Sequence, residues 1–188
     1  MIETSFVVLD VEVVHSPDEP GYSWSDPHAL GLSVACTWSE PSAIDGEHGL
    51  RQWRVSTVSE LIEYLRGFTR VVTFNGIRFD FPVLGPEVAA LLKGKTVDLF
   101  CDLHHASGQM LGLDRVARGT LGRGKSGSGA NAPAMWARGE HQAVREYCED
   151  DVLLTRDLYL HGLYGRPFRV AADGKRKAWT GTARWSLR

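Results

Sequence analysis

The sequence predicts an α/β fold with one mixed five-stranded sheet: a three-stranded antiparallel meander, then two parallel strands, with helices on the faces of the sheet. The first three apolar segments are joined by short polar connections, which favours antiparallel neighbours. The next two alternate with segments of helical periodicity, as parallel strands do. A chain of 188 residues can bury a sizeable core, and we expect residues 1–188 to form a single domain.

Five short runs rich in β-branched and aromatic residues predict the strands. The first run, Phe6-Val-Val-Leu-Asp-Val-Glu-Val-Val14, is the most apolar, and turn formers follow it from Ser16 onward. A turn is expected over residues 41–49, between the second and third strands. The predicted strands cover residues 6–14, 29–38, 50–55, 71–74 and 96–100.

Four segments show helical periodicity. Ser56 or Thr57 can cap the first of them, and Gly67 ends it. The second contains Pro82 near its start, where a helix tolerates proline. The predicted helices cover residues 58–65, 79–92, 113–117 and 140–160, and the last shows the clearest pattern.

Composition excludes several classes of protein. No apolar run approaches the ~20 residues of a membrane span, and the N-terminus lacks the features of a signal peptide. Cys36, Cys101 and Cys148 form no Cys-x-x-Cys pair, which argues against a zinc knuckle and a disulfide framework. A zinc site within residues 101–105 is disfavoured, because one short stretch would supply every ligand. We therefore expect a cytoplasmic protein with no membrane segment.

Charge is unevenly distributed along the chain. The formal net charge is −2, yet residues 162–188 contain seven Lys or Arg and one Asp. We expect a basic C-terminal tail from about residue 162, which is either a phosphate-binding segment or a solvated terminus. An acidic centre beside a basic tail would suit an enzyme that acts on phosphates.

Two carboxylates interrupt the apolar first strand. Asp10 and Glu12 are two residues apart, so their side chains share one face and their Cα atoms lie roughly 6.5–7 Å apart. Two like charges on one apolar face are costly unless a cation lies between them. Oxygen ligands suit Mg²⁺ or Mn²⁺. The alternative is that one carboxylate ends the strand and the other is solvated.

Two further acidic positions follow along the chain. Asp80 comes after Asn75-Gly76, a tight-turn signal, and opens a predicted helix, where the helix dipole favours a carboxylate. Helix capping is the alternative role of Asp80. Tyr147 and Asp151 are four residues apart on the last predicted helix, so they share a face that can approach the first strand.

The order and placement of three motifs carry a family resemblance. The motifs are Asp10-x-Glu12, Asn75-Gly-x-x-Phe79-Asp80 and Tyr147-x-x-x-Asp151. Together they resemble the DEDD superfamily of 3′–5′ exonucleases, which have the ribonuclease-H-like fold. The tyrosine is similar to that of the DEDDy branch, which includes the proofreading exonuclease domains of DNA polymerases; the DEDDh branch would have a histidine in place of Glu146. Over residues 5 to about 160, the chain looks most like small stand-alone domains of the YprB type.

The resemblance implies an activity and a role for each matched residue. The chain would hydrolyse phosphodiester bonds of DNA or RNA from a single-stranded 3′ end, either alone or together with a polymerase or helicase. Tyr147 would orient the attacking water, while Asn75 and Phe79 would shape the pocket of the terminal nucleotide. Val13 and Val14 stand where the family often has a hydroxyl residue, which affects contacts to that nucleotide. Two Mg²⁺ or Mn²⁺ ions would be held by four carboxylates, those of Asp10, Glu12, Asp80 and Asp151.

A competing motif lies between the second and third matched segments. Gly119-Thr-Leu-Gly-Arg-Gly-Lys125-Ser126 fits the P-loop pattern Gly-x4-Gly-Lys-Ser. A P-loop needs a strand before it and a helix directly after it, and the flanking residues predict neither. We expect instead a glycine-rich loop, either one in which Arg123 and Lys125 contact substrate phosphates or a plain solvated loop.

Three functions other than an exonuclease stay open at this point. The first is a ribonuclease-H-like module that binds nucleic acid without catalysis. The second is a P-loop NTPase that uses residues 119–126. The third is an endonuclease that uses the same metals. The presence of all five catalytic-type residues favours the exonuclease, which we take as the working hypothesis.

Overall fold

A computed structural model of the chain describes residues 5–40, 49–125 and 131–188. The turn expected over residues 41–49 lies outside the described residues except for its last position. The strands are β1 Phe6–Val13, β2 Leu32–Ser39, β3 Gly49–Trp53, β4 Arg70–Thr73, β5 Thr96–Asp98, β6 Phe168–Val170 and β7 Trp179–Gly181. The α-helices are α1 Val58–Arg66, α2 Asp80–Leu84, α3 Val88–Leu91, α4 Leu99–Ser107, α5 Leu113–Leu121, α6 Ala132–Ala137 and α7 His141–Leu163.

The first five strands form one mixed sheet in the order β3-β2-β1-β4-β5. The pairs β1–β2 and β2–β3 are antiparallel, whereas β1–β4 and β4–β5 are parallel. The predicted fold class is therefore confirmed, with the meander and the two parallel strands as expected. β1 is the central strand, which explains why its residues Val7, Val8 and Leu9 are fully buried.

The two faces of β1 contribute to two separate cores. Phe6 and Val8 pack in a cluster with residues of α5, α7 and β6, whereas Val7 and Leu9 pack with residues of α1, α2 and α3. Alternate residues of a strand point to opposite faces, so every even-numbered side chain of β1 is directed towards the α7 side. This parity decides where the two carboxylates of β1 point.

The predicted helix over residues 79–92 is wrong as a single element. It divides into α2 and α3 at Gly85-Pro86, where Gly85 has a φ of 155° and ends α2. Pro86 cannot donate a backbone hydrogen bond, and a φ of this kind favours glycine. The start of the predicted strand over 29–38 is likewise occupied by a short 3₁₀ helix, Pro27–Leu30, which Asp26 caps through Ala29 N.

The basic C-terminal segment is folded against the domain. The strands β6 and β7 pair as an antiparallel hairpin, and Phe168 and Val170 are buried in the core. Arg188 Nη2 donates to Asp102 Oδ1 at 2.7 Å, which attaches the last residues to α4. The solvated-terminus interpretation is therefore wrong for this segment. Within the described ranges, no helix has the length and apolar character needed to cross a membrane.

Candidate active site

The cleft beside β1 lies where β4 ends at Thr73 while β1 continues to Val13. β4 pairs with β1 only from Phe6 to Val8, so among the described residues the second half of β1 has no strand on that side. Asp10 and Glu12 lie in this second half, and they have the even parity of the face that packs against α7. The strand pairing therefore leaves both carboxylates at an open edge, beneath the helix that carries Asp151.

Three carboxylates from two elements meet at this point. Single oxygens of Asp10, Glu12 and Asp151 all lie within 4.8 Å of one another. Glu12 is 7% exposed and Asp151 is 2% exposed, so the cluster is largely removed from water. Cys148, one turn before Asp151, donates its thiol to the backbone oxygen of Asp10 at 3.4 Å, which joins α7 to β1 beside the cluster.

Asp80 is positioned by a tight turn between β4 and α2. Asn75 has a positive φ of 69°, and a Cβ at Gly76 would clash with the side chain of Thr73. The carboxylate of Asp98 holds this turn, because it accepts from Asn75 N at 3.0 Å and from Ile77 N at 3.2 Å. The role of Asp98 was not predicted from the sequence; an acid at the end of a short apolar strand was the available signal.

Burial raises the pKa values of all four acids of the cleft. Burial raises the pKa of Asp80 to about 8, and burial together with the neighbouring Asp151 raises the pKa values of Asp10 and Glu12. Asp151 shifts in the same direction because it is buried, although Lys125 opposes the shift. Such a cluster is stable in its charged form only when cations offset its charge.

The residues present fit divalent metal ions. The oxygens Oδ1 of Asp80 and Oδ1 of Asp151 are buried and have no hydrogen-bond partner among the described residues. Buried unpaired carboxylate oxygens are unfavourable, and metal coordination would satisfy them. Hard oxygen ligands of this kind suit Mg²⁺ or Mn²⁺. Asp10, Glu12 and Asp151 form the closest set, and Asp80 lines the same cleft.

Lys125 enters the acidic cluster from the glycine-rich segment after α5. Its Nζ donates to Asp151 Oδ2 and, at 2.7 Å, to the hydroxyl of Tyr147. Burial lowers the pKa of this lysine, but the charges of Asp151 and Asp10 raise it by a larger amount. The net pKa of Lys125 therefore lies above its usual value. Lys125 therefore provides a cation next to the carboxylates.

The acidic cleft brings together seven of the nine residues that the sequence singled out. It has a volume of about 320 Å³. The other two are Tyr147 and Arg123. The hydroxyl of Tyr147 accepts a hydrogen bond from Lys125, which lines the cleft, whereas Arg123 pairs with Asp157. The seven residues are Asp10, Glu12, Asn75, Phe79, Asp80, Lys125 and Asp151.

Trp24 is a further wall residue that the sequence analysis missed. It is 67% exposed, lines the acidic cleft, and has its ring centroid 5.7 Å from that of Phe79. An exposed tryptophan beside a second ring offers a flat apolar surface for a nucleobase. The available signal was a large aromatic residue within an otherwise polar loop.

The P-loop interpretation is wrong for the described part of that motif. Gly119 lies inside α5 and packs so closely on β6 that a Cβ there would clash with the backbone oxygen of Arg169. A Cβ at Gly124 would clash with the side chains of Asp114 and Arg118. These glycines are thus explained by packing, and no strand lies within residues 108–118, where a P-loop would require one. Ser126 lies outside the described residues.

Comparisons with known proteins agree with this architecture. A family model described as the RNase_H superfamily matches residues 50–162. No curated protein matches the chain. The fold is similar to that of a family B DNA polymerase from the hyperthermophilic archaeon Pyrobaculum calidifontis, with a TM-score of 0.63 and 16% identity. That match covers 86% of this chain and 25% of the polymerase, so the chain spans about a quarter of the polymerase's length.

Proposed function

The chain belongs to the RNase_H superfamily, and on this basis we propose that it is a metal-dependent 3′–5′ exonuclease of the DEDDy type. The single observation that carries the proposal is the convergence of buried acids from β1, α2 and α7 on one cleft. Tyr147, one helical turn before Asp151, supplies the additional feature of the DEDDy branch. The likeness in fold to part of a DNA polymerase is consistent with a nucleic-acid substrate.

The residues of the cleft divide the work between metal binding and substrate binding. Asp10, Glu12, Asp80 and Asp151 would hold two Mg²⁺ or Mn²⁺ ions, since their oxygens are clustered or unpaired. When bound, such ions offset the charge of a phosphodiester and lower the pKa of water. The protein residues position the metal ions and the phosphodiester. Since the phosphodiester is already anionic, this fixed geometry is the main contribution of the protein.

Tyr147 keeps its proton at neutral pH. Burial and the neighbouring Asp151 raise the pKa of the Tyr147 hydroxyl above its usual value, so it can donate a hydrogen bond to a water at the phosphorus atom. Lys125 lies against both residues and can move to a substrate phosphate once metal ions bind Asp151. Trp24 and Phe79 offer ring surfaces to the terminal base, and Asn75 lines the cleft between these rings and the acids.

A gel time course tests this proposal directly. Oligonucleotides of DNA and RNA, each labelled at the 5′ end, are incubated with purified protein and Mg²⁺, Mn²⁺ or EDTA. We expect a metal-dependent ladder that shortens from the 3′ end, and cleavage below detection in Asp10→Ala and Asp151→Ala. Glu60→Gln on α1, a carboxylate removed from the opposite face of the sheet, is the matched control and should cleave at the wild-type rate. Full activity in either Asp variant would refute the metal mechanism.

Two other activities would give different patterns in the same assay. An endonuclease using the same residues would cut a circular single strand, which has no 3′ end. A binding module without catalysis is favoured by one observation, namely that Lys125 already supplies a cation to Asp151. Retention of the oligonucleotide without cleavage under every metal condition would establish that second function in place of the first.

A further inference from the structure

A second, larger cleft lies next to the acidic cleft. It has a volume of about 700 Å³, roughly twice the 320 Å³ of the acidic cleft. One wall is α5, and the other is the segment that follows β6 in the C-terminal hairpin. Lys125 lines both clefts, so the two share a wall. We call the larger one the hairpin cleft.

The hairpin cleft is predominantly cationic. Four of its lining residues are basic, against two acidic ones, Asp114 and Asp173. Asp114 and Arg118 offset each other, because Arg118 Nε donates to Asp114, which also accepts from the backbone N of Lys125. Asp173 makes only a loose contact of 3.9 Å to Arg176, whose side chain is 67% exposed. The four basic residues are Arg115, Arg118, Lys125 and Arg176.

The walls of this cleft are fastened to each other. Arg115 Nη2 donates to the backbone oxygens of Ala171 and Lys177, both at 2.8 Å, and so ties the hairpin to α5. Thr120 Oγ1 adds a hydrogen bond of 3.1 Å to the Arg169 oxygen. Arg115 Nε is buried and has no hydrogen-bond partner in the described part of the chain. The cleft is therefore preformed.

A chain of phosphates is the ligand that this arrangement fits. The acidic cleft by itself repels a polyanion, and the protein as a whole carries a formal net charge of −2, so attraction must come from a local basic surface. Arginine side chains are well suited to phosphate oxygens. The volume of the hairpin cleft exceeds that of the cleft that would take the terminal nucleotide, so it can accommodate more than one further nucleotide.

We propose that the hairpin cleft is the track that binds the sugar–phosphate backbone of a single nucleic-acid strand whose terminal nucleotide occupies the acidic cleft. This inference rests on the proposed function. It assigns a purpose to the basic residues of the C-terminal hairpin, which lie beyond the part of the chain matched by the family model.

Fluorescence anisotropy in EDTA tests the track without any cleavage. The probes are a 5′-labelled ten-nucleotide single strand and the corresponding dinucleotide, titrated at several salt concentrations. The variants are Arg176→Ala and Arg176→Glu, in which an exposed side chain is changed. Arg66→Ala is the matched control, because Arg66 is also exposed and paired with an acid, Glu63, but lies on α1 at the opposite face of the sheet.

We expect the wild-type protein and Arg66→Ala to bind the ten-nucleotide strand more tightly than the dinucleotide. In Arg176→Ala the ratio of the affinity for the ten-nucleotide strand to that for the dinucleotide should fall by roughly tenfold. The slope of log affinity against log salt for the long strand should become less negative by about 0.7. The charge reversal should cause a larger loss. Equal affinities in Arg176→Ala and Arg66→Ala would overturn the proposal, as would displacement of the long strand by an equal concentration of mononucleotide. The exonuclease proposal fails separately, through absence of metal-dependent cleavage by the wild-type protein.

Discussion

Removal of one charge from the acidic cluster should stabilise the metal-free protein while it destroys metal binding. Oxygens of Asp10, Glu12 and Asp151 lie within 4.8 Å of one another. Two full negative charges at that distance repel by about 3.5 kcal/mol at an effective dielectric constant of about 20. The charge of Lys125 offsets part of this repulsion, because Lys125 Nζ lies against Asp151 and acts on Asp10 and Glu12 as well. We therefore expect Asp10→Asn to gain about 2 kcal/mol at pH 8.

The assay is thermal unfolding at pH 8 in EDTA and in Mn²⁺. For a chain of this size, 2 kcal/mol corresponds to an increase in Tm of about 4–8 °C in EDTA. Asparagine keeps an oxygen that can accept the thiol of Cys148, so the packing of α7 on β1 is retained. Mn²⁺ at about 100 times its Kd should stabilise the wild-type protein by about 2.7 kcal/mol and Asp10→Asn by much less.

Glu60→Gln on α1 is the control, since it removes a remote carboxylate from the first turn of a helix; it should not raise the Tm in EDTA and should leave stabilisation by Mn²⁺ unchanged. Two results would refute the reasoning. One is a lower Tm for Asp10→Asn than for the wild-type protein in EDTA. The other is equal stabilisation of both proteins by Mn²⁺. Either would mean that the acids do not repel one another strongly or do not share a metal site.

Three further predictions concern single residues of the cleft. Tyr147→Phe should slow cleavage by about 10²-fold without altering stabilisation by Mn²⁺, since it removes a hydroxyl and no metal ligand; a single-turnover rate equal to that of the wild-type protein would contradict this role. Trp24→Ala should raise the KM for oligonucleotides by about tenfold, because stacking contributes about 1–3 kcal/mol per base, and an unchanged KM would exclude a stacking role. The pKa of Asp80 is about 8 in the folded protein against a usual value of 3.8, so the folded state binds more protons between these pH values and is stabilised by them. The free energy of unfolding in EDTA should therefore fall as pH rises from 4 to 8, by at most about 1.4 kcal/mol per pH unit from this group, and urea titrations should show a flatter profile for Asp80→Asn.

The fold was largely predictable because each strand of the main sheet has a local signature. A run of apolar β-branched residues identified β1, and the short connections around it indicated the meander. The errors in the predicted element bounds lie where a second local feature outweighed the apolar pattern. Gly85-Pro86 divided a segment whose apolar spacing favoured one helix, and Asp98 ended β5 by capping α4 through Cys101 N. The short strands β6 and β7 were missed, since three residues carry too little periodicity to be recognised.

The candidate site shows the same division between local and distant information. Period-two alternation placed Asp10 and Glu12 on one face, and helical spacing placed Tyr147 and Asp151 on another, so the sequence alone determined which acids could act together. Only the tertiary structure decided that β4 ends at Thr73 and leaves the second half of β1 with an open edge. Contacts between residues distant in sequence, such as that of Lys125 with Asp151, leave no periodic pattern, because they depend on how separate elements pack. The same reason explains why the hairpin cleft emerged only once α5 and the C-terminal hairpin were seen to pack together.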